Sequence, residues 1–186
     1  NFNNFNNGTT DLGDGTIIRG SQAQVVGQKL RLTKDGVAGG FSSFSVPALA
    51  NSAAGFTATF DYTLSDASGE NYPADGFSFN YGNASLGELG SGEEGMAGKT
   101  SENISFEVDT WRNFDSEQGV GISGVQSGDD IGNSYAFTNG RILNDGETKE
   151  GTVEIKWDPA KGATFKTTNL NTNANFTDVK FNPPFV

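Results

Sequence analysis

The chemistry in this chain is densest in one segment: Phe106-Glu107-Val108-Asp109-Thr110-Trp111-Arg112-Asn113-Phe114-Asp115-Ser116-Glu117. Read as an extended strand, it sets Glu107, Asp109 and Trp111 on one face and sends Phe106 and Val108 into a core, because side chains alternate with a period of two. Two carboxylates then stand side by side at the strand's end, and like charges so placed disfavour one another unless a partner is present. Arg112 is the one cation nearby in sequence, so a bound metal is the economical partner. Asp109, the carbonyl of Trp111, Asn113 and Asp115 offer only oxygen, which suits hard Ca2+. The competing expectation is an acidic edge strand whose carboxylates simply face water.

A second segment, Tyr72-Pro73-Ala74-Asp75-Gly76-Phe77-Ser78-Phe79, begins as a turn and becomes a strand. Asp75 stands at the junction, and Gly76 lets another backbone approach closely. Alone, this is an ordinary loop aspartate.

Composition narrows the remaining chemistry. The chain has no His and no Cys, which removes Ser-His and Cys-His nucleophilic catalysis, His-ligated metals, thiol redox chemistry and disulfides. Lys and Arg number 12 against 23 Asp and Glu, a formal charge of −11. Such a charge repels a phosphate backbone and an anionic membrane surface, so neither nucleic acid nor membrane insertion is expected. No run of about 18 apolar residues exists and no basic-then-apolar leader opens the chain, so a mature or excised chain is expected. The 186 residues fit one domain over 1–186, either whole or cut from a longer protein.

The elements that must hold these residues read as strands. Helical periodicity is nearly absent, whereas short alternating or aromatic runs recur between turns of Gly, Asn, Asp and Ser. They fall at 16–18, 29–33, 41–46, 55–64, 76–81, 103–111, 119–125, 134–138, 152–157, 162–168 and 176–181. In 56–62, Phe56, Ala58, Phe60 and Tyr62 face one way and Thr57, Thr59 and Asp61 the other. An all-β sandwich or barrel is expected, with 15 Phe supplying the interior.

In order and rough spacing, Ala74-Asp75-Gly76 with Phe77-Ser78-Phe79, a Gly-rich loop, and then Phe106 to Asn113 resemble the legume-type (L-type) lectins of the concanavalin A-like fold. Phe5, Ile17-Ile18-Arg19-Gly20, Lys29-Leu30-Arg31-Leu32-Thr33, Gly55 to Leu64 and Val153 to Asp158 resemble other strands of that family. The resemblance covers most of the chain and implies an antiparallel β-sandwich of jelly-roll type. It implies a calcium ion held by Asp109, the Trp111 carbonyl, Asn113 and Asp115. It also implies a sugar pocket in which Asp75, after a cis bond from Ala74, accepts from sugar hydroxyls and Asn113 donates. Backbone N–H groups of a Gly-rich loop complete the family's pocket, and Leu86-Gly87-Glu88-Leu89-Gly90 is the candidate. Trp111, or Phe114, would be the aromatic platform.

Three departures stand out. The family's transition-metal site joins Glu107 and Asp109 to a His, but Gly119 stands at that place, so the second metal site is expected to be lost. The loop from Asn113 to Gly121 is short, leaving Asp115 and Glu117 both as candidates for the second calcium carboxylate. The chain also ends about where the family has a further strand. Glycoside hydrolases of the same fold carry Glu-x-Asp-x-Glu on one face, two glutamates acting as nucleophile and acid/base. Here the run is Glu107-x-Asp109-x-Trp111, so no catalytic step is expected. The resulting expectation is a secreted or cell-surface, calcium-dependent module that binds glycans or glycoconjugates, as a homo-oligomer or as part of a multidomain adhesin. The alternative is a calcium-stiffened adhesive domain with no sugar pocket of its own.

Overall fold

The computed structural model describes residues 5, 15–66, 75–83, 85–90, 102–111, 119–126, 129–137, 142–170 and 175–179, with the backbone alone at 102, 123–126, 129–137 and 175–179. Four short strands come first: β1 (Ile17–Arg19), β2 (Gln24–Val26), β3 (Lys29–Arg31) and β4 (Ser43–Ser45). A 3-10 turn at Ser52–Ala54 precedes β5 (Phe56–Ser65), β6 (Gly76–Gly82), β7 (Glu102–Asp109), β8 (Gly119–Gln126) and β9 (Asp129–Phe137). The series closes with β10 (Thr148–Asp158), β11 (Gly162–Thr167) and β12 (Asn175–Val179). The architecture is all-β, and every strand pairing among the described residues is antiparallel.

Two four-stranded sheets dominate, in the orders β12-β11-β10-β5 and β6-β7-β8-β9. Two ribbons, β1-β4 and β2-β3, accompany them. The sheets share one aromatic core. From β5, Phe56 and Phe60 lie 6.0 and 6.2 Å from Phe79 of β6, and Phe60 lies 6.2 Å from Phe77. The fully buried Phe106 of β7 meets Phe165 of β11 edge-on at 5.7 Å. Each such ring removed from water contributes roughly 1.5–3 kcal/mol, which is why the aromatic alternation of the sequence decides which face turns inward.

The alternation expected for 56–62 is what forms: Phe56, Ala58, Phe60 and Tyr62 line the core side while Thr57, Thr59 and Asp61 are exposed. The outer face is knitted by cross-strand polar pairs, Thr152 Oγ1 donating to Asp61 at 2.8 Å and Ser65 meeting Thr148 at 3.0 Å. The β2-β3 hairpin reaches that face through Lys29, whose Nζ lies 2.7 Å from Glu150 and 3.2 Å from Thr63.

The sequence reading missed β2. Val26 and Lys29 are paired across Gly27 and Gln28, which both take positive φ, +55° and +65°. Two left-handed residues make the tight primed turn that matches strand twist, but Gln is an unusual second residue for it, so the turn signal was weak. β9 and β10 also begin earlier than the expected 134 and 152, because pairing with β8 and β5 extends each strand through polar residues.

Tyr62 ties β5 to the residue that follows β11. Its hydroxyl donates to the carbonyl of Thr168, and burial pushes its pKa from 10.0 up to about 12. A folded value above the unfolded one means the proton is kept on folding, so the stability tied to it is intact below pH 10 and is lost as the pH rises from 10 towards 12. Urea titrations across that range should show wild type losing stability, with Tyr62→Phe losing less over the same interval.

Candidate functional site

The candidate site grows from the register of β6 on β7. Gly76 pairs with Asp109, Phe77 with Val108 and Ser78 with Glu107. The ladder runs one rung further, the N–H of Thr110 donating to the carbonyl of Asp75 at 2.9 Å. Adjacent antiparallel strands therefore bring Asp75 and Asp109, distant in sequence, to the same end of one sheet.

Gly76 makes that closeness possible. Its φ is +126°, and a Cβ built there would lie 1.9 Å from the carbonyl oxygen of Val108. Only glycine tolerates both the conformation and the approach. Asp75 enters the corner through its carbonyl, and its half-buried side chain accepts no hydrogen bond from the described residues.

Asp109 turns the chain. One carboxylate oxygen accepts the N–H of Trp111 at 2.8 Å, an Asx-type turn that takes the backbone off the ladder directly after Thr110. This corrects one expectation. Trp111 does not share a strand face with Glu107 and Asp109, because β7 stops at Asp109 and Trp111 lies two residues beyond it.

Glu107 corrects another. β7 is no edge strand, since it lies between β6 and β8, and Glu107 is 1% exposed. Its carboxylate does not face water. It stands in a buried polar row of β7 with Asn103 and Ser105, while Ile104, Phe106 and Val108 fill the aromatic core on the opposite face. Beside it Ser105 Oγ donates to Asn80 Oδ1 at 2.6 Å and Asn80 Nδ2 donates to Ser78 Oγ at 2.9 Å. Buried polar groups persist where such partners exist, and Ser105, Asn80 and Ser78 supply them to one another.

The loop expected to complete the pocket is built differently. Gly87 is buried at φ +76°, and its N–H donates to Ser45 Oγ of β4 at 3.1 Å. Glu88 closes the turn twice, its N–H on the Ser85 carbonyl at 3.0 Å and its carboxylate on the Ser85 N–H at 3.1 Å. Gly90 is half-buried and the leucines at 86 and 89 are exposed.

Asn113, Asp115 and Glu117, with Arg112 and Phe114, lie outside the described residues, as does Ala74 before Asp75. Among the described residues no three Asp, Glu, His or Cys side chains converge on one point. The described part of the expected donor set is Asp109 and the Trp111 carbonyl, both oxygen and held in one turn. That chemistry fits a hard cation.

No family model matches the chain, and no curated protein or solved structure matches it either. The functional reading therefore rests on the residues. Thr110 and Ser45 are the contributors that sequence reasoning missed. Thr110 acts through its backbone, which carries no residue-type signal, and Ser45 reaches Gly87 across a pairing that no periodicity encodes.

Gly76→Ala should cost at least about 1–3 kcal/mol in folding free energy, since it forces an unfavourable φ on a residue with a clashing Cβ. Denaturant unfolding gives the loss. The amide of Thr110 should exchange faster in the variant, because the rung from Asp75 sits directly beside the clash.

Proposed function

We propose that this chain is a calcium-dependent carbohydrate-binding module, similar to the legume-type lectins, with no catalytic step. The observation that carries the reading is the corner in which Gly76 presses against Val108 and so holds Asp75 beside the Asp109 turn. A carboxylate next to a turn rich in oxygen donors is the arrangement a lectin needs. The first accepts from sugar hydroxyls while the second fixes the loops around a cation. Asp109 and the Trp111 carbonyl would hold calcium together with Asn113 and Asp115 or Glu117, and calcium there supplies a fixed positive charge that neutralises the carboxylates. Asp75, Asn113 and Trp111 would contact the sugar.

Hydrolysis is disfavoured by the donor set. The position two residues after Asp109 is Trp111, which lies off the strand, so the second glutamate of a retaining pair has no counterpart there. Affinity for one sugar would be weak, on the order of 0.1–1 mM, as befits a shallow site with few hydrogen bonds. Useful strength would come from several copies acting together on the glycans of a surface, in an oligomer or a longer adhesin outside the cell.

A second reading, a calcium-stiffened adhesive domain without a sugar pocket, draws on one observation. The Gly87 N–H, in the loop expected to face the sugar, is already taken by Ser45.

Thermal melts with EDTA and then with calcium restored, paired with a glycan array under both conditions, test both readings. Calcium at a hundred times its Kd should add about 2.7 kcal/mol, several degrees in melting temperature. Asp109→Ala should abolish the calcium response and the array signal together, whereas Asp75→Ala should keep the first and lose the second. Normal glycan binding by Asp75→Ala would sink the pocket. A calcium-dependent rise with a silent array would favour the adhesive domain.

A further inference from the structure

Charge is unevenly divided along this acidic chain. Residues 15–60, which carry both ribbons, hold four cations, Arg19, Lys29, Arg31 and Lys34, against one acid, Asp35. Residues 61–146 hold three Lys or Arg against fifteen Asp or Glu. Lys29 is engaged by Glu150 and Arg31 by Gln24. Arg19 and Lys34 are exposed, and among the described residues their side chains make no ion pair.

Short contacts gather apolar side chains around those two cations. Next to Arg19, a Cβ built on Gly20 would lie 2.4 Å from the carbonyl oxygen of Phe41 and 2.1 Å from Ser42 Oγ, so the backbone at 41–42 lies directly against the end of β1. Gln22 holds the loop before it. Its Oε1 accepts the Lys34 N–H at 2.6 Å and its Nε2 donates to the Val37 carbonyl at 3.4 Å. On the other side, a Cβ built on Gly87 would lie 2.6 Å from Arg19 Nε, which sets Arg19 against the turn that carries Leu86 and Leu89. Phe41 is 46% exposed, Val37 45%, Leu86 41% and Leu89 38%. Lys34, Val37, Phe41, Arg19, Leu86 and Leu89 therefore neighbour one another through the ribbons, two cations among four exposed apolar side chains.

Exposed apolar side chains gathered in one place mark an interaction surface, and Arg and aromatic residues are enriched where proteins meet. The partner that suits this surface brings carboxylates to Arg19 and Lys34. A second copy of the chain carries them in excess in its 61–146 stretch, with Asp61 and Asp145 among those exposed.

We propose that this ribbon patch is a docking surface for a second copy of the chain, whose 61–146 carboxylates meet Arg19 and Lys34 while its surface covers Phe41 and Val37. The contact joins unlike faces of the two copies, a heterologous interface. It goes beyond the carbohydrate reading and needs neither calcium nor sugar.

Sedimentation of the 186-residue chain in EDTA, without sugar, over concentrations up to about 1 mM tests the proposal. Wild type should associate reversibly as concentration rises. Lys34→Glu and, separately, Phe41→Ser should each raise the dissociation constant about tenfold or more, the first by setting like charges together and the second by removing an aromatic anchor. Lys161→Glu, in the turn between β10 and β11, changes the net charge equally and should sediment as wild type. Far-UV circular dichroism of each variant checks that it is folded, and Lys34→Gln replaces Lys34→Glu if the reversal unfolds the chain, with Phe41→Thr in place of Phe41→Ser on the same ground. A wild type that stays monomeric throughout would overturn the interface. So would either patch variant associating like wild type, or Lys161→Glu weakening association as much as Lys34→Glu. A monomeric wild type that still gives a calcium-dependent array signal would remove this interface and leave the carbohydrate reading standing.

Discussion

β7 is covered on both faces, and this constraint governs the molecule. An alternating strand must send every second residue to each side, so a strand at the centre of a sheet packed on one face still has another face to satisfy. Here one side carries Ile104, Phe106 and Val108 into the aromatic core, and the other carries Asn103, Ser105 and Glu107, equally removed from water. The apolar side supplies the drive to pack β7 against β11. The polar side supplies directionality, because Ser105, Asn80 and Ser78 must line up to share their hydrogen bonds and so fix the register of β6 on β7. A slip of β7 by one residue would turn Phe106 into the polar row and Glu107 into the core.

That register is what brings an ordinary loop aspartate to the Asp109 turn, the corner proposed as a site. Because Ser78 stands opposite Glu107, Gly76 must stand opposite Asp109, and Asp75 must fall beside Thr110. The acidic character of the chain, −11 overall, would favour a cation over an anion near such carboxylates, as the proposed calcium requires. The same charge is unfavourable for polyanions.

Much of this was legible in the sequence because period-two alternation survives in it. Phe56 to Tyr62 and Ile104 to Val108 announce their core faces, and the Ala74-Asp75-Gly76 turn announces the start of β6. What was not legible depends on contacts far along the chain. Gln24-Val25-Val26 is too short and its turn too unusual to read as a strand. Trp111 follows the alternation of Glu107 and Asp109 and was placed with them, yet the Asp109 side chain captures the Trp111 N–H and ends the pattern. The burial of Glu107 could not be read either, since nothing local distinguishes a central strand from an edge. Asn113, Asp115 and Glu117 remain part of the proposed site through the sequence alone.

The pairing of β5 with β10 has a consequence for biosynthesis. Phe56 pairs with Trp157 and Ser65 with Thr148, so each rung closes a loop of roughly 80–100 residues, whereas β6 to β9 form a local meander. Contacts of such long range are slow to form, because their loop entropy is lost before any pairing is gained. A ribosome adding about 5–20 residues per second needs on the order of 5–20 s to deliver β10 after β5 has emerged. During that interval Phe56, Phe60 and Tyr62 wait on a nascent strand without the neighbour that pairs with them in the finished sheet. The meander is complete first, and its aromatic face is the surface on which β5 can rest until β10 arrives.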